Sequence, residues 1–310
     1  MRRPSLLSSS WREPRCRRRP RRHRTRLPDI SPSPDAGEAG RRPAISSVQN
    51  AHVAAARSLL SRKGRVAASA FLVEGPHALA EALGSPAHEV REIFTTEAAA
   101  ERDTSLLEKA RGRDVVIRLV TEQVLASLGD TVTPQGVVAV VGKPTTTVAS
   151  VMSGAPRLVV LLEAVGDPGN AGTAIRTADA AGADAVIATR GSVDLWSGKC
   201  VRATAGSGFH LPVVADVETV PVVEGARASG LQVFATAADG GCDLDQLIDD
   251  GELAAPTMWV FGNEAHGVSA EVRAAADRVV RLPIYGAAES LNLAATAAVC
   301  LYASARAQRR

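Results

Sequence analysis

"RLVVLLEAVGDPGNAGTAIRTADAAGADAVIAT", residues 157–189, is the stretch whose reading decides the fold. It opens on Arg157–Val165, a near-continuous apolar run, which predicts a central strand of a parallel sheet covered on both faces. An Asp-Pro-Gly turn follows, and Asn170 is the expected N-cap of a helix over 171–182. "ADAVIAT" (183–189) then reads as a second buried strand. Strand, turn, helix and strand make the repeating unit of an open parallel α/β sheet, where ligands gather at the carboxyl ends of the strands. The helix N-terminus offers unpaired N–H groups and the positive end of the dipole, suited to a phosphate or carboxylate. Arg176, six residues past Asn170, adds a planar donor fork; a cap and a surface ion pair account for the same two residues equally well. No GxGxxG is present, which disfavours a nicotinamide enzyme.

Towards the C-terminus the alternation continues. Helices are expected near 196–204 and 217–229, strands at "LQVFAT" (231–236) and "TMWVFG" (257–262), and a short helix near 268–276. Strand "RVVRLP" (278–283) and a last helix near 290–306 complete it. Two further segments at strand ends stand out. In "MWVFGNEAHGVSAEV" (258–272) a buried strand runs into Gly262, whose lack of a Cβ permits close ligand approach, and Glu264 follows where a carboxylate can grip donors. A plain turn with a solvated Glu264 fits as well, and His266 reads as a loop histidine. In "RLPIYGAAESLNLAATAAVCLYASARAQRR" (281–310) a glycine-bearing loop leads to Ser290 and Asn292 at the start of an Ala-rich helix, where either residue can serve as a cap or as a ligand.

Towards the N-terminus a smaller α/β region is legible. "SSVQNAHVAAARSLLSRK" (46–63) has helical spacing, with Arg57, Arg62, Lys63 and Arg65 clustered at its end. Those cations suit either RNA or the helix dipole. "AFLVEG" (70–75) is a strand, Pro76 opens a helix to about 83, and "EVREIFTT", a helix over 97–111, "VVIRLV", a helix over 121–128 and "PQGVVAVVG" (134–142) follow. "KPTTTVASVMSGAP" (143–156) reads as a linker.

Composition sets bounds. The 310 residues suit about two domains. No run of 18 apolar residues offers a membrane span, and the N-terminus has no apolar signal region. The four cysteines (Cys16, Cys200, Cys242, Cys300) form no CxxC, which argues against a metal site and a disulfide framework and for a reducing cytoplasm. Residues 1–43 hold thirteen arginines against four acids, a surplus of nine, so the chain's +3 leaves the other 267 residues at −6. With seven prolines and little apolar periodicity, this tail is expected to be disordered. It suits an RNA-attracting arm, a plain extension with no role, or a transit segment.

Taken together, "DPGNAGTAIRTADAAG", "VFGNEAHGVS" and "LPIYGAAESLNLAATAAVCLY" resemble, in order and spacing, the three motifs of the SpoU (TrmH-type) RNA ribose 2′-O-methyltransferases of the SPOUT superfamily. Residues 44–142 are similar to that family's RNA-substrate-binding domain, and 157–310 to its catalytic domain. The resemblance implies a Rossmann-like parallel sheet with a deep trefoil knot, a homodimer through the knot region, and bound S-adenosylmethionine. By motif, the cofactor contacts fall on Gly262, Leu282, Ile284, Leu291 and Leu293. The catalytic set falls on Arg176, Asn170, Glu264, Ser290 and Asn292, with no metal. Arg57, Arg62, Lys63, Arg65, Lys199 and Arg202 are the implied RNA contacts. The sequence departs from many relatives at Ala265 and His266, which stand where small glycine-rich residues are usual. The accessory domain favours ribosomal RNA; a tRNA enzyme, and an RNA-binding relative without catalysis, are the alternatives.

Overall fold

The structure, a computed structural model, describes residues 44–131 and 133–309. Its contacts divide the chain into residues 1–41 and 42–310, and every described residue belongs to the second unit. The expectations for the 1–43 tail, Cys16 included, lie outside the described residues.

The first part runs α1 (Ala51–Ser58), α2 (Arg62–Ala68), β1 (Ala70–Glu74), α3 (Pro76–Gly84), β2 (Val90–Thr95), α4 (Glu97–Arg102), α5 (Thr104–Arg111), β3 (Val116–Leu119), α6 (Glu122–Ala126) and β4 (Val137–Gly142). The strands form a mixed sheet in the order β1-β4-β2-β3, with β4 antiparallel to both neighbours. Strand alternation explains its two faces. Leu72, Phe94 and Val138 pack with Val53 and Ala56 of α1 and with Leu59 just after it, while Phe71, Ile93 and Ala139 face α3 and α5. The single helix expected over 46–63 is two, because Ser61 turns out to be a cap: its hydroxyl accepts from Gly64 N–H and restarts the chain as α2.

The second part runs α7 (Val148–Ser153), β5 (Leu158–Leu162), α8 (Pro168–Ala181), β6 (Ala185–Thr189), α9 (Gly198–Ala203), β7 (Val213–Val217), α10 (Thr219–Ala228) and β8 (Gln232–Thr236). It continues through β9 (Cys242–Asp243), α11 (Leu244–Asp249), β10 (Thr257–Phe261), α12 (Ala270–Ala275), β11 (Arg278–Arg281) and α13 (Leu293–Gln308). Among the described residues the seven strands pair in parallel, in the order β7-β6-β5-β10-β8-β11-β9. The apolar runs fill both faces, as expected. Leu158, Val160 and Leu162 of β5, with Trp259 and Phe261 of β10, pack under α8 and α13. Val159, Leu161, Met258 and Val260 point the other way, under α7, α10 and α12. Trp259 donates to the Ser304 hydroxyl at 2.8 Å, both fully buried, which fixes α13 on the sheet.

The segment expected to be a plain linker therefore contains α7. Thr147 and Ser150 form a reciprocal capping box, and Val151 and Met152 are buried against the sheet. The two parts share one apolar core. Phe71 of β1 lies 4.8 Å from Trp196 and 6.2 Å from Phe209, ring centre to ring centre. No helix among the described residues is long and apolar enough to cross a membrane.

Candidate active site

Three loops meet at the carboxyl edge of the parallel sheet: residues 163–167 after β5, 262–269 after β10 and 282–292 after β11. The first differs from expectation in its cap. Asp167 is the N-cap of α8, accepting from Asn170 N–H at 2.8 Å, and Pro168 takes the first helical position, where its missing N–H costs nothing. Asn170 is thereby freed from capping, and its side chain points to the other loops. Its Nδ2 donates to Glu264 Oε1 at 3.0 Å, and its Oδ1 accepts from Asn292 Nδ2 at 3.0 Å. Asn292 also caps α13 through its own Oδ1, accepting from Ala294 N–H. Ser290 therefore precedes the helix rather than opening it, and its exposed hydroxyl lines the cleft described below.

Glu264 is the hub. Its carboxylate accepts from Gly166 N–H at 3.0 Å, from Asp167 N–H at 3.2 Å and from Asn170. Burial pushes its pKa up, but the Asn170 amide and the two backbone N–H groups outweigh this and hold it below the usual carboxylate range. A carboxylate so fixed is an orienting acceptor and a poor proton acceptor.

Two residues that the sequence reading passed over hold the 262–269 loop in place. Asn263 Nδ2 donates to the carbonyl of Ala164, a residue with φ of +50°, and Asn263 Oδ1 accepts from the N–H groups of Ala265 and His266. Buried Glu163 accepts from Ser269 N–H at 2.9 Å. Gly262 has no room for a side chain: a Cβ there would stand 2.2 Å from the Gly267 carbonyl carbon. A turn asparagine in Gly-Asn and a carboxylate closing an apolar strand were the available sequence signals.

The 262–269 and 282–292 loops, with Thr236, Ala237 and Ala238 at the end of β8, enclose a cleft of about 460 Å³. All five expected cofactor contacts, Gly262, Leu282, Ile284, Leu291 and Leu293, line it, as do Glu264, Ser290 and Asn292. Between Pro283 and Leu291, among the described residues, the backbone forms no hydrogen bond to another backbone group, so its N–H and C=O groups are available to a ligand. Apolar walls with a few convergent polar groups are what a nucleoside-bearing cofactor requires. S-Adenosylmethionine fits these residues on volume and on donor set.

Arg176 lies on the exposed side of α8. It forms no hydrogen bond or ion pair among the described residues and does not line the cleft. The expected RNA contacts divide. Arg57 and Lys63 are exposed and unpaired among the described residues, and Arg62 stands 3.8 Å from Asp216. Arg65 corrects the expectation. It is buried, and its guanidinium donates to Asp194 at 2.8 Å and to the carbonyls of Leu59 and Leu60, so it is a structural tie. Lys199, on α9, reaches Asp167 at 3.4 Å beside the site. Arg202, one turn on, is partly engaged by Glu74 at 2.6 Å. No cluster of metal-ligating side chains occurs among the described residues.

The chain is 36% identical over 259 residues to the 23S rRNA (guanosine(2553)-2′-O)-methyltransferase RlmP of Bacillus subtilis strain 168, covering 83% of this chain and 97% of that protein. Residues 157–302 match the model of the SpoU rRNA Methylase family. The chain belongs to the SpoU rRNA methylase family. Residues 72–147 of this SpoU chain match the RNA 2′-O ribose methyltransferase substrate-binding model. Among solved structures, the SpoU methyltransferase AviRb of Streptomyces viridochromogenes in complex with AdoMet superimposes with a TM-score of 0.75 at 31% identity, over 84% of this chain and 98% of that one. An AdoMet-bound rRNA methyltransferase from Sinorhizobium meliloti gives 0.74 at 29%, over 85% and 97%. The 460 Å³ cleft is thus the candidate methyl-donor site of a SpoU chain.

Proposed function

We propose that this SpoU chain transfers a methyl group from S-adenosylmethionine to a ribose 2′-hydroxyl of ribosomal RNA in the cytoplasm. One observation carries the reading: the five residues assigned to the cofactor by motif, and three of those assigned to catalysis, converge on one cleft at the carboxyl edge of the parallel sheet. The rRNA-methylating relatives named above support the substrate. Residues 157–310 are the methyl-transferring domain, and 44–142, with Arg57, Arg62 and Lys63 exposed, the RNA-binding domain.

S-Adenosylmethionine, when bound, supplies an electrophilic methyl group on a sulfonium. Gly262, Leu282, Ile284, Leu291 and Leu293, which line the cleft, would hold it, largely through backbone. Glu264, Asn170 and Asn292 form a fixed row that orients the ribose, and Ser290 offers it a further hydroxyl. Arg176 clamps an RNA phosphate and stabilises the developing alkoxide by charge. It does not act as a base, because a guanidinium stays protonated; the bound phosphate takes the proton. Arg176 does not line its own chain's cleft, which supports a homodimer whose sites each draw on two copies. The threaded trefoil crossing belongs to the same reading.

The test is incubation with methyl-labelled S-adenosylmethionine and separated ribosomal and transfer RNA. Label in the ribosomal fraction is expected. Label in tRNA alone overturns the substrate, and no S-adenosylmethionine binding overturns the site.

A further inference from the structure

We propose that a second cleft, between the two sheets, binds a nucleobase of the RNA adjacent to the target ribose; this rests on the rRNA-methylase reading. The cleft measures about 290 Å³ and is bounded by the turn after β1, by Gly129, Thr131, Pro134 and Gln135, and by helix α9 with the turn that follows it. Its lining combines apolar Leu125, Val138 and Val201 with the polar side chains of Glu74, His77, Thr131, Gln135 and Arg202, of which Glu74 and Arg202 carry opposite charges. The Glu74 side chain is 11% exposed. One carboxylate oxygen accepts from Arg202 at 2.6 Å and the other from the Thr131 hydroxyl. Gly129 leaves room for this carboxylate, since a Cβ there would lie 2.5 Å from Glu74 Oε2.

This donor and acceptor set matches a base edge. A carboxylate has about four lone-pair positions and Glu74 uses two here, while Arg202 commits one of its roughly five N–H donors. Glu74 can accept an amino N–H, Arg202 can donate to a neighbouring ring nitrogen or carbonyl, and the apolar sides take the base faces. Sequence-specific RNA recognition works in this way, on unstacked bases splayed into pockets. A phosphate is disfavoured, because the Glu74 charge faces it.

Position ties this cleft to the active site. Lys199 meets Asp167, whose backbone N–H is held by Glu264 of the first cleft, and Arg202 lies three residues further along α9. One helical turn advances about 5 Å. An RNA strand held at Asn170 and Lys199 thus reaches Glu74 with a neighbouring nucleotide. The site reads a flanking base, while Arg176 and Glu264 act on the target.

The test uses the full chain with two variants. Gln135 is exposed at the mouth, its amide beside Gly75, so Gln135→Trp obstructs the cleft and leaves the Glu74–Arg202 pair intact. Glu74→Gln keeps the shape and removes the charge. The probe is protein-free ribosomal RNA, measured by filter binding and by methyl transfer. Both variants are expected to weaken RNA binding about tenfold. Gln135→Trp should raise the KM for RNA by the same factor, while kcat at saturating RNA, the Kd for S-adenosylmethionine and the melting temperature stay as in the wild type. Wild-type RNA affinity in both variants overturns the proposal, and so does a loss of affinity that tracks a lowered melting temperature in both. If the wild-type chain transfers no methyl group to ribosomal RNA, the enzymatic reading fails; the cleft stands if Gln135→Trp still weakens RNA binding.

Discussion

Arg65 offers the sharpest separation of a structural cation from an RNA-binding one. Its side chain is 7% exposed and that of Asp194 11%, and the two meet at 2.8 Å. The guanidinium also satisfies the carbonyls of Leu59 and Leu60, where α1 ends and α2 begins. Arg65→Ala leaves the Asp194 carboxylate buried without its cation and two carbonyls without donors. Removing one partner of a buried ion pair costs about 3–5 kcal/mol. For a body of this size, each kcal/mol shifts Tm by about 2–4 °C, so a fall of about 10 °C is expected. Arg65→Lys keeps the charge but not the fork, and should lose about half of that. Differential scanning fluorimetry gives the shift, and filter binding to ribosomal RNA at two salt concentrations gives the RNA term. Arg57→Ala and Lys63→Ala are the controls: no change in Tm, with RNA affinity lowered and its salt dependence reduced. An Arg65→Ala protein that melts within about 2 °C of wild type but binds RNA much more weakly would refute this assignment.

Three further outcomes are expected. Arg176→Ala should abolish methyl transfer while S-adenosylmethionine binding by calorimetry stays as in wild type, because Arg176 is outside the cleft; loss of both would contradict its assigned role. Gly262→Ala should abolish S-adenosylmethionine binding, since its Cβ stands 2.2 Å from the Gly267 carbonyl carbon; retained affinity would show that the loop yields. The two histidines at the junction of the sheets should titrate in opposite senses. Burial lowers the His88 pKa to about 4, so stability is fully present above its unfolded value and falls as pH drops from about 6.5 towards 4, by about 1.4 kcal/mol per unit. Glu81 at 3.0 Å and Asp179 at 2.7 Å raise that of His210, so its contribution is present below the unfolded pKa and is lost as pH rises through the folded one. Urea unfolding of His88→Gln should lack the acid-side slope and that of His210→Gln the alkaline-side loss; unchanged slopes would exclude both.

The central strands were legible because a strand buried on both faces has no polar side to confuse its reading, as Leu158–Leu162 and Thr257–Phe261 demonstrate. Elements whose partners are distant were not. β9 is two residues long and exists only by pairing with β11, and α11 starts immediately after it. α7 was hidden by Thr and Ser, residues that are as common in linkers as in the capping box they form. β7 is short and follows a turn, and its burial fades along its length. In the site, motif resemblance supplied the residues but not their contacts. Asp167-Pro168 carried the true start of α8, an Asp cap followed by proline at the first position, yet Asn170 three residues on has an equally good cap propensity. Only the fold reveals that Asn170 bridges Glu264 and Asn292, 94 and 122 residues away. The same limit applies to Arg65. Sequence places it in a basic cluster with Arg62 and Lys63, and only Asp194, 129 residues distant, makes it structural.

The position of the transferred methyl tests the central claim most directly. Ribosomal RNA labelled from S-adenosylmethionine by this chain should be digested with alkali and separated by size. A 2′-O-methyl group blocks cleavage at its own linkage, so the account predicts label in one alkali-resistant dinucleotide, absent with Arg176→Ala. Label released entirely as mononucleotides would place the methyl on a base and contradict the account.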